Sequence, residues 1–167
     1  MEFAEWVSGE SMHIPPWEVL LRLIAAVLAG AAVGFDRELL NKPAGLRTHI
    51  LISLAAALFT LITFELHHTV VGDNASTTAD PIRIIEAVTA GVAFLAAGAI
   101  IQSRGAVHGL TTGANMWLAG ALGVACGAGD YMLAVFGTVF ALIVLVVLGR
   151  LERRARKDPP DDGSGQS

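Results

Sequence analysis

Long apolar runs separated by short polar clusters set the pattern of this chain. The runs extend from about Trp17 to Phe35, Leu46 to Phe64, Ile84 to Ile101, Leu110 to Cys126 and Tyr131 to Leu148. Each approaches the length needed to cross a hydrocarbon layer of ~30 Å at about 1.5 Å per helical residue. The pattern therefore predicts an all-α integral membrane protein with about five transmembrane helices. Gly109, Gly113, Gly120, Gly123 and Gly127 would loosen the fourth, so a broken or re-entrant segment is an open alternative there. Pro15 and Pro16 end any helix before them and suit the first turn of the next. Trp17 fits an anchor at the membrane–water interface.

Composition agrees. Of 167 residues, 54% are hydrophobic and 16% charged, with a mean hydropathy of +0.62. A soluble domain carries roughly 25% charged residues. The formal net charge of −4 gives no reason to expect nucleic acid as a partner, and it conceals a segregation. Nine of the eleven basic residues fall between the first and second runs (Arg37, Lys42, Arg47), between the third and fourth (Arg104), or after the fifth (Arg150, Arg153, Arg154, Arg156, Lys157). With five spans these regions share one side, so the positive-inside rule puts the N-terminus outside and the C-terminus in the cytoplasm. The expected organisation is an external segment over 1–16, a transmembrane domain over 17–149, and a basic then disordered cytoplasmic tail over 150–167. Glu2, Glu5 and Glu10 replace a basic leader, so the first span is expected to serve as an uncleaved insertion signal. The one cysteine, Cys126, lies in an apolar run and reads as a small buried residue.

Two kinds of residue inside the spans carry the candidate function. Small residues make grooves for close helix approach: Gly30 and Gly34 in the first span, Gly91 and Gly98 in the third, and Gly123 in the fourth. Polar residues at membrane depth are costly, on the order of 3 kcal/mol for a central charge, and need partners. The candidates are Asp36, Arg37, Glu38, Arg47, Thr48, His49, Arg83, Glu86, Thr111, Thr112 and Asn115. Arg47, at the mouth of the second span, is expected to pair with Asp36 or Glu38, or else to snorkel to headgroups. Arg83 and Glu86, three apart on one helical face, are expected to pair with each other. His67 and His68 point about 100° apart on a helix and suit a solvated pair better than a chelate. No nucleophile–base–orienter set, phosphate loop or metalloprotease helix is present. The expectation is a non-enzyme without cofactor or metal.

These motifs resemble a known family. Gly30-x-x-x-Gly34-Phe35-Asp36-Arg37-Glu38 followed by Pro43-Ala44-Gly45-Leu46-Arg47-Thr48-His49 is similar to the opening of the MgtC/SapB family. Asp80-Pro81-Ile82-Arg83-Ile84 with Gly91-Val92-Ala93-Phe94-Leu95-Ala96-Ala97-Gly98 looks like its third-span signature, and Val107-His108-Gly109-Leu110-Thr111-Thr112 with Trp117 like its fourth. Glu86 stands where a glutamine is usual and His108 where an arginine is usual. The resemblance implies a short, membrane-only member in the bacterial inner membrane, tied to magnesium limitation, acid or host-stress adaptation. It implies a regulator acting on itself or on other membrane proteins, the ATP synthase among them. The alternative is a magnesium transporter or channel, which needs oxygen ligands for a reluctantly dehydrated ion.

Overall fold

The computed structural model describes residues 13–71, 82–103 and 106–155. They form five helices: α1 (Pro16–Leu39), α2 (Leu46–Val71), α3 (Ile82–Gly98), α4 (Leu110–Ala128) and α5 (Tyr131–Ala155). A small antiparallel hairpin, β1 (Ile101–Ser103) and β2 (Ala106–His108), joins α3 to α4, pairing Ile101 with His108 and Ser103 with Ala106. The protein is an all-α membrane protein, as its hydropathy requires. Among the described residues, Pro16–Leu39, Leu46–His68 and Tyr131–Arg150 are long and apolar enough to cross a membrane, and Ile85–Gly98 is a shorter apolar helix. Most of the N-terminal segment expected to be external, the loop over 72–81 and most of the expected tail, 156–167, lie outside the described residues.

The helix ends differ from the sequence expectation in instructive ways. α1, α2 and α5 each run past the apolar stretch into charged residues, because backbone hydrogen bonding continues where side chains reach water. α5 continues through Arg150 to Ala155. α1 starts with Pro16 at its first turn and has Glu18 near its start and Arg37 near its end, each matched to the helix dipole. α3, expected to reach Ile101, stops at Gly98. There the Ile100 amide bonds the Ala97 carbonyl, a tightening to three-residue spacing that ends the helix. The chain then turns back as the hairpin, and the Ala99 carbonyl seats directly against Gly109, which leaves no space for a side chain.

α4 is one continuous helix, so the broken-span alternative does not hold. Gly109 (φ 86°) precedes it and Gly129 (φ 82°) follows it, both left-handed, so its glycines mark the ends and the packing seam rather than a break. It touches each of the other four helices and is the most enclosed of them. Its core partners are small: Ala26, Ala29 and Val33 of α1 share one cluster with Leu122, Ala125 and Cys126, and Ala56 of α2 lies in another with Ala119. That central position explains how Thr112 and Asn115 can occur in a helix at membrane depth: they face protein instead of lipid.

Candidate functional site

Close backbone approach fixes the registers. A Cβ built on Gly30 would lie 2.7 Å from the His49 carbonyl oxygen and 2.9 Å from Ser53 Cβ. One on Gly34 would lie 2.9 Å from His49 Cβ and from Leu46 Cα. α1 and α2 therefore run antiparallel in near backbone contact, and Ser53 Oγ crosses the seam to donate to the Ala26 carbonyl at 2.8 Å. Gly123 sits against the Ser53 carbonyl, and Gly127 against Ala57 and Thr60, so α2 and α4 run parallel. This offset brings Asn115 level with Gly45, at the base of α2. α1 and α4 are antiparallel and pinned at both ends by arginine: Arg37 Nη2 donates to Thr112 Oγ1 at 2.6 Å and Arg22 Nη1 to the Gly127 carbonyl at 2.8 Å.

At the end where α1 finishes and α2 and α4 begin, these registers collect a polar cluster. Arg37 is 4% exposed and His49 fully buried. His49 Nδ1 lies 2.8 Å from the Gly45 carbonyl. A carbonyl can only accept, so Nδ1 carries a proton, and when the ring is neutral Nε2 is an acceptor. Arg37 is the charge whose field reaches that ring, and half-buried Asp36 is the carboxylate whose field reaches Arg37. Three sealed atoms have no protein partner: Arg37 Nε, His49 Nε2 and Asn115 Nδ2. Glu38 turns to the neighbouring helix, where Oε2 accepts the Leu46 amide at 3.0 Å. It acts as a cap brought from a preceding helix.

Other expected residues stand apart. Arg47 is exposed and makes no ion pair among the described residues, so its expected pairing with Asp36 or Glu38 does not form; Glu38 is engaged by the backbone instead. Arg83 and Glu86 are both exposed and likewise unpaired, because their face of α3 points away from the bundle. Thr111 is exposed and Thr48 half-buried. Gly91 and Gly98, expected as packing positions, meet nothing within 4 Å; α3 touches the bundle through Val88, Val92 and Ala96 on another face. Among the described residues no group of three metal-binding side chains occurs, and His68 stacks on His13 at 4.6 Å.

Sequence reasoning missed three contacts. Arg22, which also bonds Glu18, closes the far end of α4; Glu38 caps α2; and Glu65 accepts the His13 and Ile14 amides at 3.1 and 2.8 Å. One signal existed for the first: Arg22 and Arg37 have the same separation as Thr112 and Gly127, which becomes meaningful once the two helices are known to pair antiparallel.

The pattern of the MgtC family matches residues 23–154. This chain belongs to the MgtC family. Among MgtC-family relatives it is 38% identical over 138 residues to the putative magnesium transporter YhiD of Escherichia coli strain K12, covering 82% of this chain and 63% of that protein. It is 35% identical over 155 residues to SapB of Bacillus subtilis strain 168, covering 89% and 63%. It is 33% identical over 141 residues to MgtC of Salmonella typhimurium strain LT2, covering 84% and 56%. The chain thus spans about three-fifths of the length of these relatives. No solved structure matches. In MgtC-family terms, Asp36-Arg37-Glu38, the loop through His49 and the His108–Thr112 segment, far apart in sequence, meet around one helix end.

Proposed function

We propose that this MgtC-family chain is a non-enzymatic regulator in the bacterial inner membrane that acts by binding other membrane proteins, with the α1–α2 loop facing the cytoplasm. The observation that carries the reading is a contrast between glycines. Gly30, Gly34, Gly123 and Gly127 are each filled by a neighbouring backbone, whereas Gly91 and Gly98 on α3 face open space. Beside them Phe94 is 81% exposed, and a groove of about 450 Å³ opens between α2 and α3, lined by Ile52, Phe59, Val88, Gly91 and Leu95. Small residues beside a protruding aromatic suit contact with another transmembrane helix, where close packing rather than hydrophobicity drives association.

The ATP synthase is the partner that the family resemblance suggests. Co-purification of its subunits with this protein from mildly solubilised membranes, lost in Gly91→Leu and Gly98→Leu, tests the reading. Unchanged ATP synthesis in membrane vesicles with and without the protein, together with no co-purification, rejects this partner.

The name of the Escherichia coli relative favours a second reading, magnesium transport. The chemistry of the buried groups weighs against it. Arg37, His49 and Asn115 offer a cation, an imidazole and an amide, whereas magnesium is held by carboxylates, phosphates and water.

A further inference from the structure

The starts of α2 and α4 lie at the same end of the bundle, yet they are treated differently. α2 has an anion: the Glu38 carboxylate accepts the Leu46 amide. α4 has no acidic residue in its first turn and no side-chain cap, since Gly109 precedes it. What faces its first turn is a cation, the Arg37 guanidinium bonded to Thr112. A cation at the positive end of a helix dipole is unfavourable, and a buried one without an ion pair more so. Arg37 is 96% buried, from its 4% exposure, and makes no ion pair among the described residues.

The hydrogen-bond inventory has the same imbalance. Arg37 Nε and Asn115 Nδ2 are donors without partners, and the first-turn amides of α4 have none within the helix. Two acceptors at hand are committed, Thr112 Oγ1 to Arg37 and the Gly45 carbonyl to His49, and the one left open, His49 Nε2, is a single lone pair that carries no negative charge. Around this donor-rich centre lie exposed Lys42, Arg47 and His108, against Asp36 and the already engaged Glu38.

We infer that the N-terminal end of α4 is a binding site for an oxyanion of the phosphate class, with Arg37 as its principal side-chain donor. A phosphate group supplies both what a water supplies, lone pairs for several donors, and what water cannot, a negative charge for the guanidinium and the helix end. The same chemistry is available from a lipid phosphodiester headgroup and from free inorganic phosphate. The site is independent of the regulator reading and of any partner.

The test uses the full chain in a neutral maltoside detergent at constant ionic strength. Thermal melting and the phosphorus NMR linewidth are followed during addition of inorganic phosphate and of phosphatidylglycerol, with melting in a phosphate-free diacylglycerol or in chloride as controls. Phosphatidylglycerol alone raising the melting temperature assigns a lipid headgroup; inorganic phosphate raising it assigns the free ion. In either case Arg37→Gln should weaken binding at least about tenfold, while Arg47→Gln, altering only the rim, should change it a few-fold at most. If Arg37→Gln does not fold, Arg37→Lys takes its place, keeping the charge and losing Nε. A wild type indifferent to both ligands, an equal response to chloride, or undiminished binding in the Arg37 variants overturns the proposal.

Discussion

Gly30→Ala and Gly91→Ala are the same chemical change in two helices, and the structure assigns them opposite outcomes. In both, exchanging glycine for alanine favours the helix by about 0.5–1 kcal/mol. At Gly91 nothing lies within 4 Å, so that gain stands alone. At Gly30 the new methyl would lie 2.7 Å from the His49 carbonyl oxygen, 2.9 Å from Ser53 Cβ and 3.0 Å from Ile50 Cα. Two of these neighbours are backbone and cannot rotate away. Carbon–carbon contacts are best at about 3.5–4.0 Å, so α1 and α2 must part by roughly 0.5–1 Å, which forfeits a quarter to a half of each dispersion well along the seam. The bond from Ser53 to the Ala26 carbonyl, now 2.8 Å, would stretch with them, adding a loss of about 0.6 kcal/mol. Overpacking of this kind costs about 1–3 kcal/mol, so the net loss at Gly30 is on the order of 1–3 kcal/mol. Thermal melts in detergent of wild type and the two variants read the difference. Gly30→Ala should melt several degrees lower, and Gly91→Ala at or slightly above wild type. Equal melting of Gly30→Ala and wild type, or a lower melting temperature for Gly91→Ala alone, would refute the close α1–α2 seam.

Glu38→Ala removes the carboxylate that caps α2 and should destabilise by about 0.5–2 kcal/mol, whereas Glu38→Gln, still an acceptor, should lose less; melts of the pair check this. Arg22→Met frees the Gly127 carbonyl and leaves Glu18 unpaired, so a loss of about 1–3 kcal/mol is expected, read as increased protease cutting near the α4–α5 turn. Arg47→Ala and Glu86→Gln touch exposed, unpaired side chains and should stay within about ±0.5 kcal/mol of wild type by denaturant titration in detergent. In a double-mutant cycle, Arg37→Met and Thr112→Val should couple by about 0.5–3 kcal/mol, because their 2.6 Å contact is shared; additive losses would show that it carries no energy.

The spans were legible because membrane burial is a one-dimensional property: an apolar run of sufficient length needs no knowledge of its neighbours. Which face of a span meets protein is not written that way. Gly30 and Gly91 sit in similar small-residue patterns, yet one is pressed on the His49 carbonyl and the other meets nothing, because α3 was given its contact through Val88, Val92 and Ala96. The same limit separated Arg37 from Arg47. Both flank one short loop, and only the α1–α4 register turns the first inward to Thr112 and leaves the second exposed. Arg37, His49, Thr112 and Asn115 were readable as candidates because polar groups at membrane depth demand partners. Their grouping was not, since it depends on an antiparallel and a parallel pairing formed together. The early end of α3 was equally hidden, because Ala99–Ile101 is as apolar as the helix before it.

The central claim, regulation by binding rather than transport of magnesium, is tested most directly by ion flux. The purified protein is reconstituted into liposomes holding a magnesium-sensitive dye, with an inward magnesium gradient and a negative-inside potential. Binding without transport gives influx equal to that of protein-free liposomes at every magnesium concentration. A saturable influx that scales with the amount of protein and is lost on its denaturation would contradict it.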